Sequence, residues 1–402
     1  MLIVSLSEMG SGVLPVCPAS PLVLSRGRPR PRRRGRLAER CGEDALHGSQ
    51  NRDLGSSDSP ATEGHSRSTA RSPRQDHRWI EVQLDPPDHT RNKQFINPYF
   101  SPGRMRGLED EVREVADREI DKFIDKGAGD LADVAWRVSG AILFGELLGF
   151  PVEDVQTVLR MTDRSTPPEF YGEETKIAAE QDMYRYCYEK LSARRDQPSS
   201  GENVVFDHLL AARVNGEPLP FELEVANAFL LVIAGLETTS NALTNTFVWL
   251  AEHPDQRERL VNDPTMIPKA MEEFVGHRGS VHGLSRVATE DTELGGCPIK
   301  RGDVVFANFA AANRDAREFT DSDECVIDRA PNRHLAFGGG HHRCVGSNLA
   351  PMELRVTIEQ ILARMPDYAI RAGAAAQYRH GIIPGYGSIP VTFTPDSRRF
   401  VS

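Results

Sequence analysis

The chain has 402 residues, of which 39% are hydrophobic and 26% are charged, as is usual for a globular protein. With 48 Lys and Arg against 58 Asp and Glu, its net charge of −10 excludes a general role in binding polyanions such as nucleic acid. The six cysteines are scattered without a CxxC pair, which predicts reduced thiols and a cytoplasmic protein rather than a disulfide framework.

Residues 1–77 differ sharply in composition from the remainder. They are rich in Arg, Ser, Pro and Gly, and seven of the eleven residues in RGRPRPRRRGR (26–36) are arginine. Like charges at this density repel, and little apolar surface is available for burial, so we predict a disordered or non-native extension. An organellar targeting segment or a nucleic-acid-binding arm is the alternative. The apolar start LIVSL is too short to cross a membrane.

Residues 78–402 are interpreted as one domain that is mainly helical. Apolar residues at helical spacing predict helices over 101–126, 130–149 and 174–194. A short helix over 268–275, strand-like segments at 285–291 and 303–313, and a last helix over 348–365 follow later in the chain. Strands do not alternate with helices, so a parallel α/β fold is not expected.

The segment 222–254 predicts a long central helix. From Ala226 to Leu236 it is apolar on every face apart from Asn227, and a helix of that kind is either buried or spans a membrane. The apolar run breaks at Glu237, Thr238 and Thr239, too soon for a membrane span. We therefore expect a buried helix and no membrane association.

The segment HLAFGGGHHRCVG (334–346) contains the strongest chemical signal. Its glycines allow the backbone to approach something flat or bulky, and Cys344 stands just ahead of a predicted helix, whose N-terminal dipole favours a thiolate. A zinc site of His341, His342 and Cys344 is an alternative, but three ligands within four residues cannot all face one tetrahedral ion. An inert, buried cysteine is the other alternative.

The sequence FGGGHHRCVG resembles the haem-binding signature of cytochromes P450, Phe-Gly-x-Gly-x-His-x-Cys-x-Gly. The six fixed positions all match, at Phe337, Gly338, Gly340, His342, Cys344 and Gly346. The resemblance implies that Cys344 is the thiolate ligand to the iron of haem b, that Phe337 shields its sulfur, and that His342 lies near a haem propionate. It also implies the P450 fold of the soluble bacterial type, a large helical domain with small β-sheets, here with an incomplete or disordered N-terminal part.

Two further motifs support this resemblance. AGLETT (234–239) is similar to the family's oxygen-activation motif, in which Ala234 and Gly235 leave room over the haem while Glu237 and Thr238 deliver protons to oxygen. The alternative is a helix that merely carries polar residues on a solvated side.

DPPDHTRNK (85–93) is similar to the pattern Asp-Pro-Pro-x-His-Thr-x-x-Arg, which places His89 and Lys93 near the propionates. Lysine stands there in place of arginine, so it keeps the charge and loses the bidentate fork. Arg286 and His334 match two more propionate-contacting positions of the family.

The chain departs from the family pattern at two positions after the central helix. The family pattern Glu-x-x-Arg begins at Glu273, but Gly276 stands in place of its arginine. In the family, that arginine normally pairs with the glutamate and with a later arginine, which is Arg329 here. Removal of one partner from such a buried network is expected to cost several kcal/mol. Pro351 stands where the family often has an arginine that serves the electron donor.

The resemblance implies a monomeric haem-thiolate monooxygenase. It would insert one oxygen atom from O2 into a small hydrophobic substrate, with electrons from a ferredoxin and its reductase. A haem-binding relative without oxygenase activity, or a non-functional remnant, is the alternative that Gly276, Pro351 and residues 1–77 suggest. A nucleic-acid-binding tail is a third hypothesis, and the net charge argues against it for the whole chain.

Overall fold

The structure is a computed structural model that describes residues 80–165, 172–196, 205–214, 217–294, 297–381 and 383–400. The predicted extension over residues 1–77 lies outside these ranges. The described residues form two compact units, one of residues 80–282 with 309–400 and one of residues 283–308. Within the described part of the chain, no helix combines the length and apolar character that a membrane crossing needs.

Helices account for most of the larger unit, as the sequence predicts. The α-helices are α1 (Ile80–Gln83), α2 (Asp88–Ile96), α3 (Pro102–Gly107), α4 (Glu109–Asp121), α5 (Leu131–Ala141), α6 (Val155–Ser165), α7 (Glu173–Asp196), α8 (Val205–Ala211), α9 (Phe221–Glu252), α10 (Pro254–Asn262), α11 (Ile267–Arg278), α12 (Phe309–Ala312) and α13 (Leu349–Arg364). A π-helix spans Ile142–Leu148, and 3₁₀ turns lie at Asn97–Phe100, Ile124–Lys126, Val152–Asp154, Pro264–Met266, Gly340–His342 and Val345–Asn348.

The strands are short and pair locally. They are β1 (Ala128–Asp130), β2 (Arg213–Val214), β3 (Glu217–Pro218), β4 (Gly283–Val287), β5 (Thr292–Leu294), β6 (Cys297–Ile299), β7 (Val304–Asn308), β8 (Ala369–Ile370), β9 (Gln377–Arg379), β10 (Gly385–Ser388) and β11 (Pro390–Thr392). In the larger unit, β11 pairs with both β1 and β8, β9 pairs with β10, and β2 pairs with β3, all antiparallel. In the smaller unit, β4 pairs with β7 and β5 pairs with β6. A mainly α fold with small sheets is therefore confirmed.

Helix α9 runs through the core of the larger unit. It spans Phe221–Glu252, and α5, α7 and α13 pack against it. Its one polar residue within the apolar run, Asn227, is fully buried and faces Asn92 of α2. Each side-chain amide donates to the other's carbonyl oxygen, at 3.0 and 2.9 Å. Burial of these two amides costs little because both are hydrogen-bonded, and the pair holds α2 against α9.

Two predicted helices differ in detail from the structure. The helix expected over 101–126 is divided, with α3 ending at Gly107, α4 starting at Glu109 and a separate 3₁₀ turn at Ile124–Lys126. The helix expected over 130–149 widens to a π-helix from Ile142 and stops at Gly149, whose φ of 64° suits glycine. Hydrophobic spacing alone does not distinguish these local changes of hydrogen bonding from a continuous helix.

Helix α13 begins at Leu349, so Pro351 lies in its first turn. Backbone N–H groups of a first turn have no partner within the helix, and proline therefore removes no helical hydrogen bond there.

Glu353, two residues after Pro351, is buried, and its Oε1 has no hydrogen-bond partner among the described residues. Burial raises the pKa of Glu353 well above its ordinary value, because it disfavours the charged form of this carboxyl in the folded protein.

Glu353→Gln is expected to weaken the pH dependence of stability. The pKa of Glu353 is higher in the folded protein than in the unfolded chain. The free energy of unfolding is therefore highest below the unfolded-state pKa of this group and declines as pH rises above it. The decline amounts to at most about 1.4 kcal/mol for each pH unit. Urea unfolding at about pH 5 and about pH 8 should show a smaller decrease for the variant than for the natural chain. An equal loss of stability at both pH values would show that Glu353 is not a buried neutral acid.

Candidate functional site

The loop that carries Cys344 is folded back on itself ahead of α13. Gly338 and Gly340 have φ values of 64° and 63°, which side chains rarely adopt. The Cys344 backbone N–H donates to the Phe337 carbonyl at 2.8 Å and closes the loop. A Cβ atom built on Gly339 or Gly340 would meet no atom within 4 Å. The glycines thus set the turn and leave open space beside Gly339 and Gly340.

The Cys344 side chain can be reached by water although protein atoms crowd its sulfur. This desolvation raises the pKa of the Cys344 thiol, and the Gly346 backbone N–H lowers it. The net direction is upward, so the thiol is protonated at neutral pH unless something stabilises the thiolate. A coordinated metal ion does this, because it deprotonates the thiol that binds it.

Helix α2 holds the cysteine loop through Lys93. Its Nζ donates to the carbonyl oxygens of His341 and Arg343 at 2.9 and 2.6 Å, and to Glu81 Oε1 at 2.8 Å. The His342 Nδ1 lies 3.1 Å from the Glu81 carbonyl oxygen. The His342 and His89 rings are 4.4 Å apart between centroids. Residues 81 to 93 therefore form one wall of the site, and the loop forms another.

Three possible metal-ligand atoms lie within 4.8 Å of one another, one each from Glu81, His89 and His342. Among the described residues, this group includes neither His341 nor Cys344. The zinc set considered from the sequence is thus not assembled. Lys93 already neutralises Glu81, so a further cation would be repelled. The two imidazoles can instead donate to an anion, and His89 Nδ1 is buried without a hydrogen-bond partner among the described residues. This donor set fits the carboxylates of a haem.

Helix α9 presents a small open patch in an otherwise buried stretch. From Val225 to Thr244 every residue is buried except Ala234, Gly235 and Thr238. Asn227, which binds α2, lies two helical turns before Ala234 and so on the same side of α9. Helix α2 also holds the cysteine loop through Lys93, so it contacts both α9 and the loop. The loop that carries the sulfur and the helix that carries the small side chains are therefore connected through α2.

Thr238 is oriented within the open patch by its own helix. Its Oγ1 donates to the Ala234 carbonyl oxygen at 2.8 Å, which leaves the hydroxyl oxygen as an acceptor. Ser280 Oγ donates to the Thr238 carbonyl oxygen at 2.7 Å. Glu237, the preceding residue, is buried, with 7% of its surface exposed. A Cβ atom on Gly235 would lie 3.0 Å from the Leu143 side chain, so α9 approaches that side chain closely.

Two residues assigned to the propionates by resemblance make other contacts here. Arg286 lies on β4 of the smaller unit, opposite Val305, and its Nη1 donates to the Ser285 carbonyl oxygen at 2.8 Å. His334 Nε2 lies 2.9 Å from Glu272 Oε2, and its Nδ1 accepts from the Ala336 backbone N–H at 3.3 Å. Their haem contacts stay predictions, as do the shielding role of Phe337 and the role of Gly346, which lies next to the Cys344 sulfur.

The Glu273 carboxylate keeps its partners in spite of Gly276, contrary to the expectation of a broken network. Oε1 accepts from the Val326 backbone N–H at 2.8 Å. Oε2 accepts from Arg329 Nε and Asn332 Nδ2, each at 2.9 Å. The glutamate is therefore paired with one cation and has two neutral donors. Asn332 and Glu81 were missed in the sequence because neither belongs to a recognisable motif.

Comparison with known proteins relates the chain to a characterised family. The family profile named Cytochrome P450 matches residues 54–272 and 266–365. Linalool 8-monooxygenase of Pseudomonas putida is 31% identical over 319 residues, which cover 78% of this chain and 77% of the relative. Vitamin D(3) 25-hydroxylase of Pseudonocardia autotrophica is 34% identical over 321 residues, covering 79% and 78%. The solved structure of cytochrome P450 PksS from Bacillus subtilis 168 superposes with a TM-score of 0.72 at 30% identity, covering 80% of this chain and 83% of that one.

Proposed function

The chain belongs to the cytochrome P450 family and is a haem b monooxygenase of that family, and we propose that it oxygenates a small hydrophobic substrate with electrons from a ferredoxin and its reductase. Like other members, it uses O2, a substrate and a redox partner. The nature of the substrate and of the electron donor is our proposal. The residues that perform the reaction are proposed below from the site geometry.

Cys344 is the proposed ligand to the haem iron, and the thiolate-bound haem supplies the activation of O2. Gly338, Gly340 and Gly346 allow the loop to pass close to the haem, and Phe337 shields the sulfur. Lys93, His89 and His342 would bind the haem carboxylates, with Arg286 as a further candidate, whereas both ring nitrogens of His334 are already engaged by Glu272 and the Ala336 backbone. Lys93 is already used by Glu81 and two backbone carbonyls, so its bond to a carboxylate would be weaker than that of a free arginine.

The open patch on α9 is the observation that carries the proposal. Ala234 is exposed and leaves space for a substrate, and the small Gly235 lets the apolar Leu143 side chain approach α9 closely at this patch. An apolar surface of this kind favours a hydrophobic substrate. Two relatives are named for action on linalool and vitamin D(3), which supports the same class.

Glu237 and Thr238 are the proposed proton-delivery pair. The Thr238 hydroxyl donates to its own helix and therefore accepts a hydrogen bond from a water or hydroxyl group in the open space. Glu237 is adjacent in sequence and buried, so it can exchange protons away from bulk solvent. The pair would hold a water or hydroxyl group beside the substrate. Burial of the neighbouring residues excludes water from the rest of α9.

We also propose that the protein is cytoplasmic and monomeric. The described thiols of Cys187, Cys325 and Cys344 are free, but Cys297 is disulfide-bonded, so the expectation that the thiols are reduced is wrong for that residue. The matched relatives are bacterial enzymes. The alternative of a non-functional remnant loses support, because Glu273 keeps three donors and Pro351 lies in a first turn.

The proposed function is tested by spectroscopy and turnover of the purified full chain. We expect a thiolate-type, red-shifted Soret band in the reduced CO complex. We also expect a panel of terpenoids, steroids and fatty acids to yield at least one product carrying one atom from labelled O2 when a bacterial ferredoxin and its reductase are supplied. A thiolate band without any oxygenated product from this panel would contradict the proposed substrate class or donor.

A further inference from the structure

Gly276 of α11 is packed directly against His334. A Cβ atom built on Gly276 would lie 2.8 Å from the His334 Cβ and 3.1 Å from its Cγ. The first distance is shorter than real Cβ contacts, and the atom it meets is next to the backbone rather than at the end of a flexible side chain. The His334 side chain is 6% exposed. The imidazole thus fills the space into which a side chain at position 276 would project.

Polar contacts tie the same stretch of chain to α11 on both sides of Gly276. His334 Nε2 lies 2.9 Å from Glu272 Oε2, one turn earlier on α11. Asn313 Nδ2 donates to the Gly276 carbonyl oxygen at 2.9 Å, and Asn313 Oδ1 accepts from the Leu335 backbone N–H at 2.7 Å. Two residues after Leu335, the Phe337 carbonyl oxygen closes the cysteine loop. The entrance to that loop is therefore fastened at Gly276.

The surrounding charges also disfavour an arginine at position 276. Glu273, the anion that such an arginine would meet, already pairs with Arg329 at 2.9 Å. Arg278 and Arg314 are close enough to repel each other, and burial together with Arg278 lowers the pKa of Arg314. A third guanidinium group beside them would raise the energy of this cationic cluster.

We propose that Gly276 and His334 form a packed pair that replaces the arginine of the Glu-x-x-Arg pattern in this chain, with His334 as a positioning residue that holds the cysteine loop against α11. On this proposal, His334 can pack against α11 only because position 276 is glycine, and Gly276 is not a defect of the haem-binding fold. The inference concerns contacts between residues of the chain itself, so it can fail while the proposed oxygenase function stands.

A double-mutant cycle on the full chain as purified tests this pair. The unfolding midpoint and the ratio of haem to protein are measured for the natural chain, Gly276→Ala, His334→Gly and the double variant. We expect each single variant to lower both values and the double variant to be no worse than His334→Gly, since removal of the His334 Cβ and imidazole makes room for the new methyl group. Gly103→Ala is the matched control, because a Cβ on that helical glycine meets nothing within 4 Å.

Helix propensity alone favours alanine at both glycines. A rise of the midpoint in Gly276→Ala similar to that in Gly103→Ala would therefore overturn the proposal. Single-variant effects that simply add in the double variant would overturn it as well.

The Gly276→Arg variant distinguishes the proposed packed pair from a network that has only lost its arginine. We expect lower haem content in Gly276→Arg and recovery in Gly276→Arg combined with His334→Gly, which removes the clashing Cβ. Higher haem content in Gly276→Arg alone would show that the arginine is missing rather than replaced.

The positioning role has its own spectroscopic readout. In the reduced CO complex, His334→Ala should shift intensity from the thiolate-type Soret band to the thiol-type band, because the cysteine loop loses its anchor. His334→Gln keeps a donor at the position of Nε2 and should restore most of the thiolate-type band. A lower midpoint in His334→Ala with an unchanged ratio of the two bands would show that His334 only stabilises the fold.

Discussion

Replacement of Cys344 by serine is expected to abolish both the red-shifted Soret band of the reduced CO complex and all product formation. A serine hydroxyl does not ionise under these conditions, so it cannot supply the electron-rich sulfur ligand that activates O2. The loop itself should survive, because its turn depends on Gly338 and Gly340 and on the backbone bond from Cys344 to Phe337. The loss is therefore chemical and not a loss of folding. Absorption spectra, circular dichroism and turnover measured on one preparation check the three parts of this expectation.

Cys325→Ser is the matched control for this variant. Cys325 is a partly buried free thiol near Glu273 and Arg278, and burial raises its pKa to about 12, so it is not a competing thiolate. The control should retain the thiolate band and the activity. A thiolate band that persists in Cys344→Ser, or disappears in Cys325→Ser, would assign the iron ligand to a different cysteine.

The long helix and the cysteine loop could be predicted from the sequence because their signals are local. The buried helix expected over 222–254 is observed as α9, Phe221–Glu252, since a stretch that is apolar on every face has few other stable conformations. The loop depends on glycines that lie within a few residues of Cys344, so its turn could be expected from the same segment.

The partners that complete the site could not be predicted in the same way because they are distant in sequence. Lys93 binds carbonyl groups about 250 residues away, and backbone carbonyls leave no mark on a sequence. Glu273 recovers its donors from Asn332 and from the Val326 backbone. The expected cost of Gly276 was therefore overestimated, since a motif shows the partner that is lost and not the groups that replace it.

Thr238→Val is expected to reduce product formation roughly a hundredfold while haem content stays unchanged. Valine keeps the shape of threonine and removes its hydroxyl, so the acceptor in the open patch of α9 is lost. The bond from Thr238 Oγ1 to the Ala234 carbonyl is lost as well, but α9 is held by packing on all other faces and should not unfold. Without controlled proton delivery, electrons from the donor should reduce O2 to hydrogen peroxide instead of yielding product. The measurement compares product, peroxide and donor consumed for each turnover.

Thr238→Ser separates the hydroxyl from the rest of the side chain. Serine can make the same bond to the Ala234 carbonyl and present the same acceptor, so it should retain most of the coupling between electron consumption and product formation.

Glu237→Gln removes the buried acid and keeps its size. Product formation should fall as in Thr238→Val if the two residues act as one pair. The double variant should then be little worse than either single variant, because residues that act as a unit are not additive. Full coupling in Thr238→Val would place proton delivery elsewhere and leave the open patch with a role in substrate binding alone.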